Sequence, residues 1–447
     1  MTLKPNIVII GAGSATFTKN LIGDLLLMKD MDLGKIALVD IDVQKLEVMD
    51  GIVRKMAAQA GRNVDIISTT DRLEALPGAD YVISTISCGG AQIYKRDLQI
   101  CDKYGVHPVI GDIIGPTGMF RLLRAYPSIL AIVRDMEKLC PDAYFFNYTN
   151  PMAPICLALS RATTVKTYGF CHSVQGSAEG LANYLNIEPD KLHYWAAGIN
   201  HMSWYLSLKV DGVDVYPQLM KLAQDWNDVD EASKREGSYS RMFDDFTDRV
   251  RFEIMKQFGY YVSESPYHMS EYVPYFRKNE QTIKKWGVDR RWWLAHELAN
   301  DEYYDELKSI LRDGKDVEFS MTREYAPKII RANVKGEIFR ANLNVMNTGL
   351  ITNIPDDCCV EVPCYADCEG IHPCYVGKLP DALAGLNMSN IGTQKLMARA
   401  ANEKKLEWIY QGIQLDPLTA AMCELDQIRR MTAELIQNNI EFVGDFT

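Results

Sequence analysis

The sequence lacks an uninterrupted apolar run of about 18 residues, the length from which a membrane-spanning helix is built, so no such helix is predicted. Its first residues lack the basic and apolar segments of a secretory signal peptide, and we expect none. It also has no cluster of Lys and Arg, and its formal net charge is -11. Because nucleic acids and anionic membranes are bound through clustered positive charge, we expect neither as a partner.

The 11 cysteines follow no spacing typical of a disulfide framework. Their odd number and scattered positions indicate reduced thiols, which predicts a cytoplasmic protein. Five of them crowd one stretch, but their spacing contains no paired C-x2-C pattern, which disfavours structural zinc. These five are Cys358, Cys359, Cys364, Cys368 and Cys374.

A chain of 447 residues exceeds the size at which a single core stops growing, which predicts two domains or one elaborated α/β body. Strand-like runs alternate with helical segments over residues 1–197, which predicts a Rossmann-like dinucleotide-binding domain with a parallel sheet. Residues 198–447 combine antiparallel strand signals, at 203–210 and 340–375, with long helical stretches. We predict a mixed α+β domain there, as in lactate and malate dehydrogenases.

The first apolar run, Asn-Ile-Val-Ile-Ile at residues 6–10, is typical of a strand buried on both faces of a parallel sheet. Glycines follow at positions 11 and 13, and apolar residues then repeat at helical spacing. In a dinucleotide-binding loop the first glycine permits the turn and the second lets the backbone approach pyrophosphate. Thr16 replaces the third glycine, so the match is incomplete. The predicted cofactor contacts are Gly11, Gly13, Ser14 and Phe17.

A second predicted strand, residues 35–39, ends at two carboxylates, Asp40 and Asp42. An acidic residue at this strand end holds the ribose hydroxyls of the cofactor and repels the extra phosphate of NADP, so NAD is predicted. The alternative is that the pair caps the helix that begins near Gln44, and both interpretations can hold together.

Later strand-like runs also end in polar residues or in Cys171. Because ligands of parallel α/β sheets bind beyond the carboxyl ends of the strands, these residues are predicted to share one rim. The predicted rim consists of Gly11, Asp40, Ser87, Asn150 and Cys171.

Cys171 precedes a predicted helix, whose N-terminus would lower the pKa of the thiol. His201 lies in a second loop at a strand end and could meet Cys171 across a bound metal. The alternatives are a buried structural cysteine and a hydrogen-bonded structural histidine.

Other side chains could transfer protons or bind substrate. His172 is a candidate general acid because the imidazole pKa of about 6.5 permits proton transfer at neutral pH. Tyr272 and Tyr275 are candidate bases only if a nearby charge lowers their pKa from about 10, and their alternative is core packing. Trp292 and Trp293 could pack or form a sugar platform. Candidate ligands for a hydroxyl-rich substrate are Arg96, Asp112, Asn150, Arg290 and Arg291.

Five motifs occur in an order that resembles glycoside hydrolase family 4, and the likeness spans essentially the full length. No single motif is specific, but the set is. The motifs are Gly-Ala-Gly-Ser at 11–14, Asn-Pro at 150–151, Cys-His-Ser-Val-Gln-Gly at 171–176, Gly-Ile-Asn-His-Met at 198–202 and Ser-Glu-Tyr at 270–272.

The resemblance implies a hydrolase that uses NAD and a divalent metal, an exception to the usual scheme of two carboxylates. In this family NAD⁺ removes a hydride from C3 of the sugar, a base removes the C2 proton, and the aglycone leaves by elimination. Water then adds, and the reduced cofactor returns the hydride. The metal polarises the C2 and C3 oxygens.

The resemblance also implies roles for single residues. Cys171 and His201 would be metal ligands, with Mn²⁺ as the implied metal, although a thiolate and an imidazole alone would favour zinc. His172 would act at the leaving oxygen, Tyr272 would be the base at C2, and Asp112 would modulate that base. The implied substrate ligands are Asn150, Arg96 and Arg291, with Arg290 as the alternative to Arg291.

The position after the metal-site cysteine bears on the substrate. Phospho-sugar members of the family carry Asp or Asn there, whereas this chain has His172 and then Ser173, which favours an unphosphorylated α-galactoside. The alternatives within the family are α-galacturonides and α-glucosides. A uronate would need a basic partner, which Arg290 or Arg291 could supply.

Two alternatives lie outside the family. A plain NAD-dependent hydroxy-acid dehydrogenase would share the first half of the chain, but it leaves the Cys171 and His201 pair unexplained. A nucleotide-sensing module without chemistry is disfavoured by Tyr272 and Asn150. We expect the active form to be a homodimer or homotetramer.

Overall fold

The structure is a computed structural model and describes residues 4–291, 294 and 300–447. Trp292 and Trp293, which the sequence offers as a packing pair or a sugar platform, lie outside the described residues.

One mixed sheet of 12 strands forms the centre of the described part of the chain, in the order β3-β2-β1-β4-β5-β6-β10-β11-β7-β8-β9, with β12 paired to β11. The strands are β1 (Ile7–Ile10), β2 (Lys35–Val39), β3 (Asp65–Thr69), β4 (Tyr81–Ser84), β5 (Tyr144–Asn147), β6 (Lys166–Gly169), β7 (His193–Ile199), β8 (Met202–Val210), β9 (Val213–Asp214), β10 (Phe339–Met346), β11 (Cys359–Asp367) and β12 (Gly370–Pro373).

The six strands from β3 to β6 are parallel and follow the order of doubly wound dinucleotide-binding sheets. Every residue of β1 and of β4 is buried, which explains why these strands read as continuous apolar runs. The first half of the chain therefore has the predicted Rossmann-like topology.

The later strands continue the same sheet in antiparallel pairing. β10 joins β6 where Asn344 pairs with Gly169, and β11 joins β7 where Glu361 pairs with Gly198. Residue 197, the predicted domain boundary, lies within β7. The division into residues 1–197 and 198–447 stays a prediction.

Helices cover both faces of this sheet. They are α1 (Ala15–Leu27), α2 (Val43–Gln59), α3 (Arg72–Ala75), α4 (Gly90–Lys103), α5 (Gly115–Leu139), α6 (Met152–Ala162), α7 (Ser173–Tyr184), α8 (Tyr216–Leu222), α9 (Trp226–Ser233), α10 (Tyr239–Met242), α11 (Arg249–Phe258), α12 (Pro266–Tyr272), α13 (Glu280–Lys285), α14 (Asn300–Arg312), α15 (Ala326–Lys335), α16 (Asp381–Glu403), α17 (Leu406–Gln414), α18 (Pro417–Met422), α19 (Leu425–Asn438) and α20 (Ile440–Val443), with a 3-10 turn at Pro189–Lys191. No helix in the described ranges has both the length and the apolarity needed to cross a bilayer.

Alternate residues of β1 pack in two separate hydrophobic cores, because successive side chains of a strand point to opposite faces of the sheet. Ile7 and Ile9 pack in a core that also contains Trp204 and Tyr272, from the second half of the chain. Val8 packs in the other core, with α5 and the C-terminal helices. The two halves of the chain therefore share both cores.

A buried ion pair connects α4, α5 and the C-terminal helices. The Arg124 guanidinium lies 2.7 Å from the Asp97 carboxylate, and the two side chains are 2% and 0% exposed. Asn439 donates to Asp97 at 2.8 Å and accepts from Arg124 at 2.6 Å. This network secures the C-terminal helices against the helices that cover the sheet.

Replacing Arg124 by Met should lower the free energy of unfolding by about 3–5 kcal/mol, because Asp97 would become a buried charge without its cation. Urea denaturation followed by circular dichroism measures the loss. Lys103→Met is the control, since its bridge to Glu434 is exposed, and it should leave stability nearly unchanged. Equal losses in the two variants would contradict this assignment.

Candidate active site

A single cavity of 1160 Å³ lies beyond the carboxyl ends of the parallel strands. It extends from the glycine loop after β1 to the ends of β5 and β6 and to the turn between β7 and β8. Most of the predicted site residues line it: Gly11, Gly13, Ser14, Phe17, Asp40, Asp42, Asp112, Asn150, Cys171, His172 and His201.

The glycine loop lies close against the ends of the strands. Gly11 has a φ of +91°, and a Cβ there would lie 2.8 Å from the backbone nitrogen of Ile86. The Gly13 N–H donates to the Asp40 carboxylate at 2.7 Å, and a Cβ on Gly13 would lie 2.7 Å from the same oxygen. Position 11 therefore requires glycine, and a side chain at position 13 would have to displace the Asp40 carboxylate, so both positions favour glycine as the predicted loop does.

The start of α1 is suited to an anion. Ser14 occupies the N-cap position of α1, and its side chain makes no capping hydrogen bond. The first N–H groups of the helix, with the positive end of its dipole, therefore face the cavity uncapped, an arrangement that binds phosphate groups. These residues fit the pyrophosphate of a dinucleotide.

The two carboxylates after β2 differ in their contacts. The Asp42 side chain accepts from the Lys45 N–H at 3.1 Å and caps α2, which confirms the capping interpretation for this residue. Asp40 accepts from the N–H groups of Gly13 and Asp42 and lines the cavity at the end of β2. Its contact with a ribose stays a prediction.

Three possible metal ligands converge at the opposite end of the cavity. One donor atom each from Cys171, His201 and Glu264 lies within 4.8 Å of the other two. Cys171 and His201 are the predicted pair, whereas Glu264 was not predicted because it stands between two serines with no ligand-like spacing. Pairing of Val262 with Trp204 of β8 brings this glutamate to the site.

In residues 4–291, 294 and 300–447 this trio is the one convergent group of three or more possible metal ligands, and it includes none of the five clustered cysteines. Cys358, Cys359 and Cys364 are instead buried in or beside β11.

The protonation of the trio is set by burial and by neighbouring charges. Burial lowers the pKa of His201 to about 4, which leaves the neutral imidazole that a metal requires. Burial would raise the pKa of Glu264, but the positive charge of His268 outweighs it and lowers the pKa well below the usual range. Glu264 is therefore a carboxylate.

The pKa of Cys171 corrects a prediction. The start of α7 was expected to lower the pKa of this thiol. Burial and the charges of Glu361 and Glu264 instead raise it well above the usual value, against smaller opposing effects of Ser173. The helix N-terminus is the weaker influence because its partial charge competes with desolvation and two carboxylates.

A histidine that sequence analysis missed connects the metal-ligand trio to the predicted base-modulating residue. His268 Nδ1 lies 3.2 Å from Glu264, and its Nε2 lies 3.4 Å from Asp112. Burial opposes charge on this imidazole, but Glu264 and Asp112 raise its pKa to about 10. His268 stands in the Tyr-His-Met-Ser-Glu-Tyr stretch, in which only Tyr272 was predicted to be a site residue.

Asp112 is ionised despite its burial. Desolvation would raise its pKa, but the ion pair with His268 and the charge of Arg121 lower it to about 2. The Asn150 amide donates to the other carboxylate oxygen at 3.0 Å. Asp112 and Asn150 therefore meet at the cavity wall, as two of the predicted site residues.

Tyr272 and Tyr275 differ sharply in position. Tyr272 ends α12, its ring centroid lies 6.2 Å from that of His201, and its buried hydroxyl has no hydrogen-bond partner among the described residues. Burial and then the charges of Asp112 and Cys171 raise its pKa well above 10. Tyr275 is 46% exposed and stacks on Phe258, away from the site.

His172 lies between the two ends of the cavity. Its Nε2 is 2.7 Å from the Glu324 carboxylate, and its ring stacks on Phe17 of α1 at a centroid distance of 5.9 Å. Desolvation would lower the pKa of His172, but the charge and hydrogen bond of Glu324 raise it overall. Glu324, in a loop far along the chain, gave no signal in the sequence.

The structure does not bring the three predicted substrate arginines to the cavity. Arg96 is exposed on α4 and does not line the cavity. Arg291 is bound by both Asp102 oxygens and by the Pro108 carbonyl, and Arg290 pairs with Asp245 at 2.7 Å. The local motifs could not show which way these side chains face. The arginines that line the cavity are Arg72, Arg121 and Arg323.

Comparison with known sequences matches two profiles of one family to successive parts of the chain. Residues 6–187 match the profile described as Family 4 glycosyl hydrolase, and residues 196–419 match the Family 4 glycosyl hydrolase C-terminal domain. Together the two matches cover most of the chain.

Two relatives that match nearly the whole chain are both α-galactosidases. The chain is 38% identical to an α-galactosidase of Bacillus subtilis strain 168, over 98% of this chain and 99% of that protein. It is 32% identical to an α-galactosidase of Rhizobium meliloti strain 1021, over 96% of this chain and 87% of that protein.

The fold also has a counterpart among solved structures. A crystal structure of 6-phospho-α-glucosidase from gut microorganisms, in complex with NAD and Mn²⁺, aligns with a TM-score of 0.85 at 20% identity and covers 100% of both chains. This likeness confirms the predicted α/β fold. From the two profiles and the full-length relatives, we conclude that the chain belongs to glycosyl hydrolase family 4.

Proposed function

We propose that the chain is an α-galactosidase that requires NAD and Mn²⁺ and cleaves melibiose-like α-galactosides. The supporting observation is that one cavity contains a dinucleotide-binding loop, a trio of metal ligands and the proton-transfer candidate His172. Tyr272, the second candidate, does not line the cavity and is buried behind its wall, with its ring centroid 6.2 Å from that of His201. The two α-galactosidase relatives favour this substrate. The predicted cytoplasmic location and homo-oligomeric state belong to the same proposal.

Cys171, His201 and Glu264 would hold the metal. A thiolate and an imidazole alone would favour zinc, but Glu264 adds the hard carboxylate ligand that Mn²⁺ prefers. With Glu264 included, the three ligands are compatible with Mn²⁺, the metal that the family resemblance implies, and no longer favour zinc alone. A divalent cation bound there supplies Lewis acidity to the hydroxyl oxygens of the sugar.

Gly11, Gly13 and Ser14 would hold the cofactor, with the pyrophosphate at the start of α1. Asp40 at the end of β2 disfavours the extra phosphate of NADP by its charge. NAD bound along this wall supplies the hydride acceptor for C3 of the sugar. Phe17 and His172 stack on each other at the point where the cofactor half of the cavity meets the metal half.

Tyr272 would remove the C2 proton through its buried, unpartnered hydroxyl. Burial and the charges of Asp112 and Cys171 oppose the phenolate, so deprotonation of Tyr272 requires positive charge nearby. The imidazolium of His268, which contacts Asp112 and Glu264, supplies part of that charge.

His172 would donate a proton to the leaving oxygen. Its contact with Glu324 raises the pKa of the imidazole, which favours the protonated form that proton donation requires. Asn150, whose amide is oriented by Asp112, would bind a sugar hydroxyl. Both side chains line the same cavity as the metal-ligand trio.

An α-galacturonide is the second candidate substrate. A sugar carboxylate needs a cation, and Arg290 and Arg291 already have carboxylate partners outside the cavity. Arg121 lines the cavity, and its charge acts on Asp112. This arginine is the observation that keeps a uronate as the alternative to a galactoside.

The deciding experiment measures release of p-nitrophenol from the α-galactoside, the α-galacturonide and the α-glucoside, each with and without NAD⁺, Mn²⁺ and a thiol reductant. We expect release from the α-galactoside only when NAD⁺ and Mn²⁺ are both present. The reductant should help because Cys171 can bind the metal only while its sulfur is reduced. Full activity after dialysis against a chelator and removal of NAD⁺ would refute the proposal.

Tyr272→Phe should lower kcat by about 10²–10⁴-fold, because it removes only the hydroxyl that accepts the proton. Proton NMR of the product formed in deuterated water should then detect no deuterium at C2. Tyr275→Phe, at the exposed ring, should keep normal incorporation. Loss of incorporation in Tyr275→Phe alone would reassign the base.

Glu264→Gln should weaken Mn²⁺ binding by about tenfold or more, since it replaces a charged ligand by a neutral amide. Electron paramagnetic resonance titration of free Mn²⁺ measures this affinity without any turnover. Glu280→Gln, at a side chain that is 82% exposed, is the matched control. An unchanged Mn²⁺ affinity in Glu264→Gln would restrict the ligands to Cys171 and His201.

A further inference from the structure

The loop that leads into Asp112, residues 107–111, is held by side chains from a distant segment. Glu271 accepts backbone N–H groups from its last three residues, while Arg277 and Arg291 donate to the backbone carbonyls of its first two. Each residue of the loop therefore has a backbone group bound by one of these three side chains.

Glu271 makes the most contacts with this loop. Its carboxylate is 4% exposed and accepts the N–H groups of Val109, of Ile110 at 3.0 Å and of Gly111 at 3.1 Å. Successive N–H groups that converge on one carboxylate fix a loop strongly, because the bonds are charge-assisted. Glu271 also directly precedes Tyr272 in α12.

The two arginines hold the other end of the loop. Arg277 donates from Nε to the His107 carbonyl at 2.8 Å, and Arg291 donates from Nε to the Pro108 carbonyl at 2.8 Å. Arg291 is itself held by a two-armed ion pair with Asp102. Rigid, planar guanidinium groups thus fix these carbonyls in place.

None of the three side chains lines the cavity, and each is instead bonded to the backbone of the loop. Their common effect is on Asp112, whose carboxylate must meet His268 and Asn150 at the same time. We propose that Glu271, Arg277 and Arg291 are positioning residues that fix Asp112 relative to Tyr272. Their catalytic importance rests on the function proposed above.

This proposal gives Arg291 a new role. Family resemblance implied a contact with the substrate, whereas its bonds to Asp102 and Pro108 place it behind the loop. The arrangement also explains why the Ser-Glu-Tyr motif carries a glutamate. One short stretch supplies the proposed base and the group that aligns Asp112 with it.

The first test measures the loop itself. In Glu271→Gln one carboxylate oxygen becomes an NH2 group that cannot accept, so amide hydrogen exchange in a peptide that spans residues 107–112 should quicken about tenfold or more. Glu280→Gln is the control and should leave this peptide unchanged. Unchanged exchange in Glu271→Gln would overturn the proposal. This measurement needs no turnover, so it stands even if the wild type fails to hydrolyse galactosides.

The second test asks whether Glu271 acts through Asp112. Glu271→Gln should lower kcat by about 10²-fold with little change in KM or in Mn²⁺ affinity, since small misplacements of aligned groups cost that much. In an Asp112→Asn background the same substitution should cost less than about twofold, because the aligned charge is already gone. If the losses of kcat in the two single variants multiply fully in the double variant, Glu271→Gln has a general structural effect, and the proposal is overturned.

Arg291→Gln provides the same test at a less buried position, in case Glu271→Gln fails to fold. It should lower kcat rather than raise KM, and it too should be non-additive with Asp112→Asn. A raised KM at unchanged kcat would return Arg291 to the substrate and overturn its place behind the loop.

Discussion

The rest of this site depends on the ion pairs that the His268 imidazolium makes with Glu264 and Asp112. The imidazolium stands between Glu264 and Asp112, two carboxylates that burial alone would neutralise. Charge on the histidine keeps both carboxylates ionised, and they in turn keep the histidine charged. One buried cation therefore connects the proposed metal ligands to the residue that modulates the proposed base.

The scaffold brings these groups together from distant parts of the chain. Cys171 follows a parallel strand, His201 lies in an antiparallel turn, and Glu264 follows a short bridge to β8. Both His201 and Glu264 have positive φ angles, of 62° and 72°. Backbone strain of this kind persists only where the surroundings enforce it, and here it aims two ligands at one point.

Much of this arrangement could be predicted from local sequence. The glycine loop, Asp40, Cys171 and His201 follow strand ends, and a parallel sheet gathers strand ends at one rim. Glu264 and His268 lie four residues apart and meet locally, but tertiary pairing brings them to Cys171 and Asp112, and the same holds for Glu324 beside His172. Sequence spacing could not predict these meetings. The thiolate expected at Cys171 was wrong because desolvation outweighs the partial charge of a helix end. Arg96, Arg290 and Arg291 were predicted to bind the substrate but do not line the cavity, because a motif does not fix the direction of a side chain.

The continuity of the sheet has a consequence for how substrate enters and leaves. β10 and β11 stand between β6 and β7, so the nucleotide-binding half and the remainder share backbone hydrogen bonds as well as both cores. A hinge that swung the halves apart would have to break that ladder. A motion that opens the cavity while keeping these hydrogen bonds has to occur in the segments around its mouth.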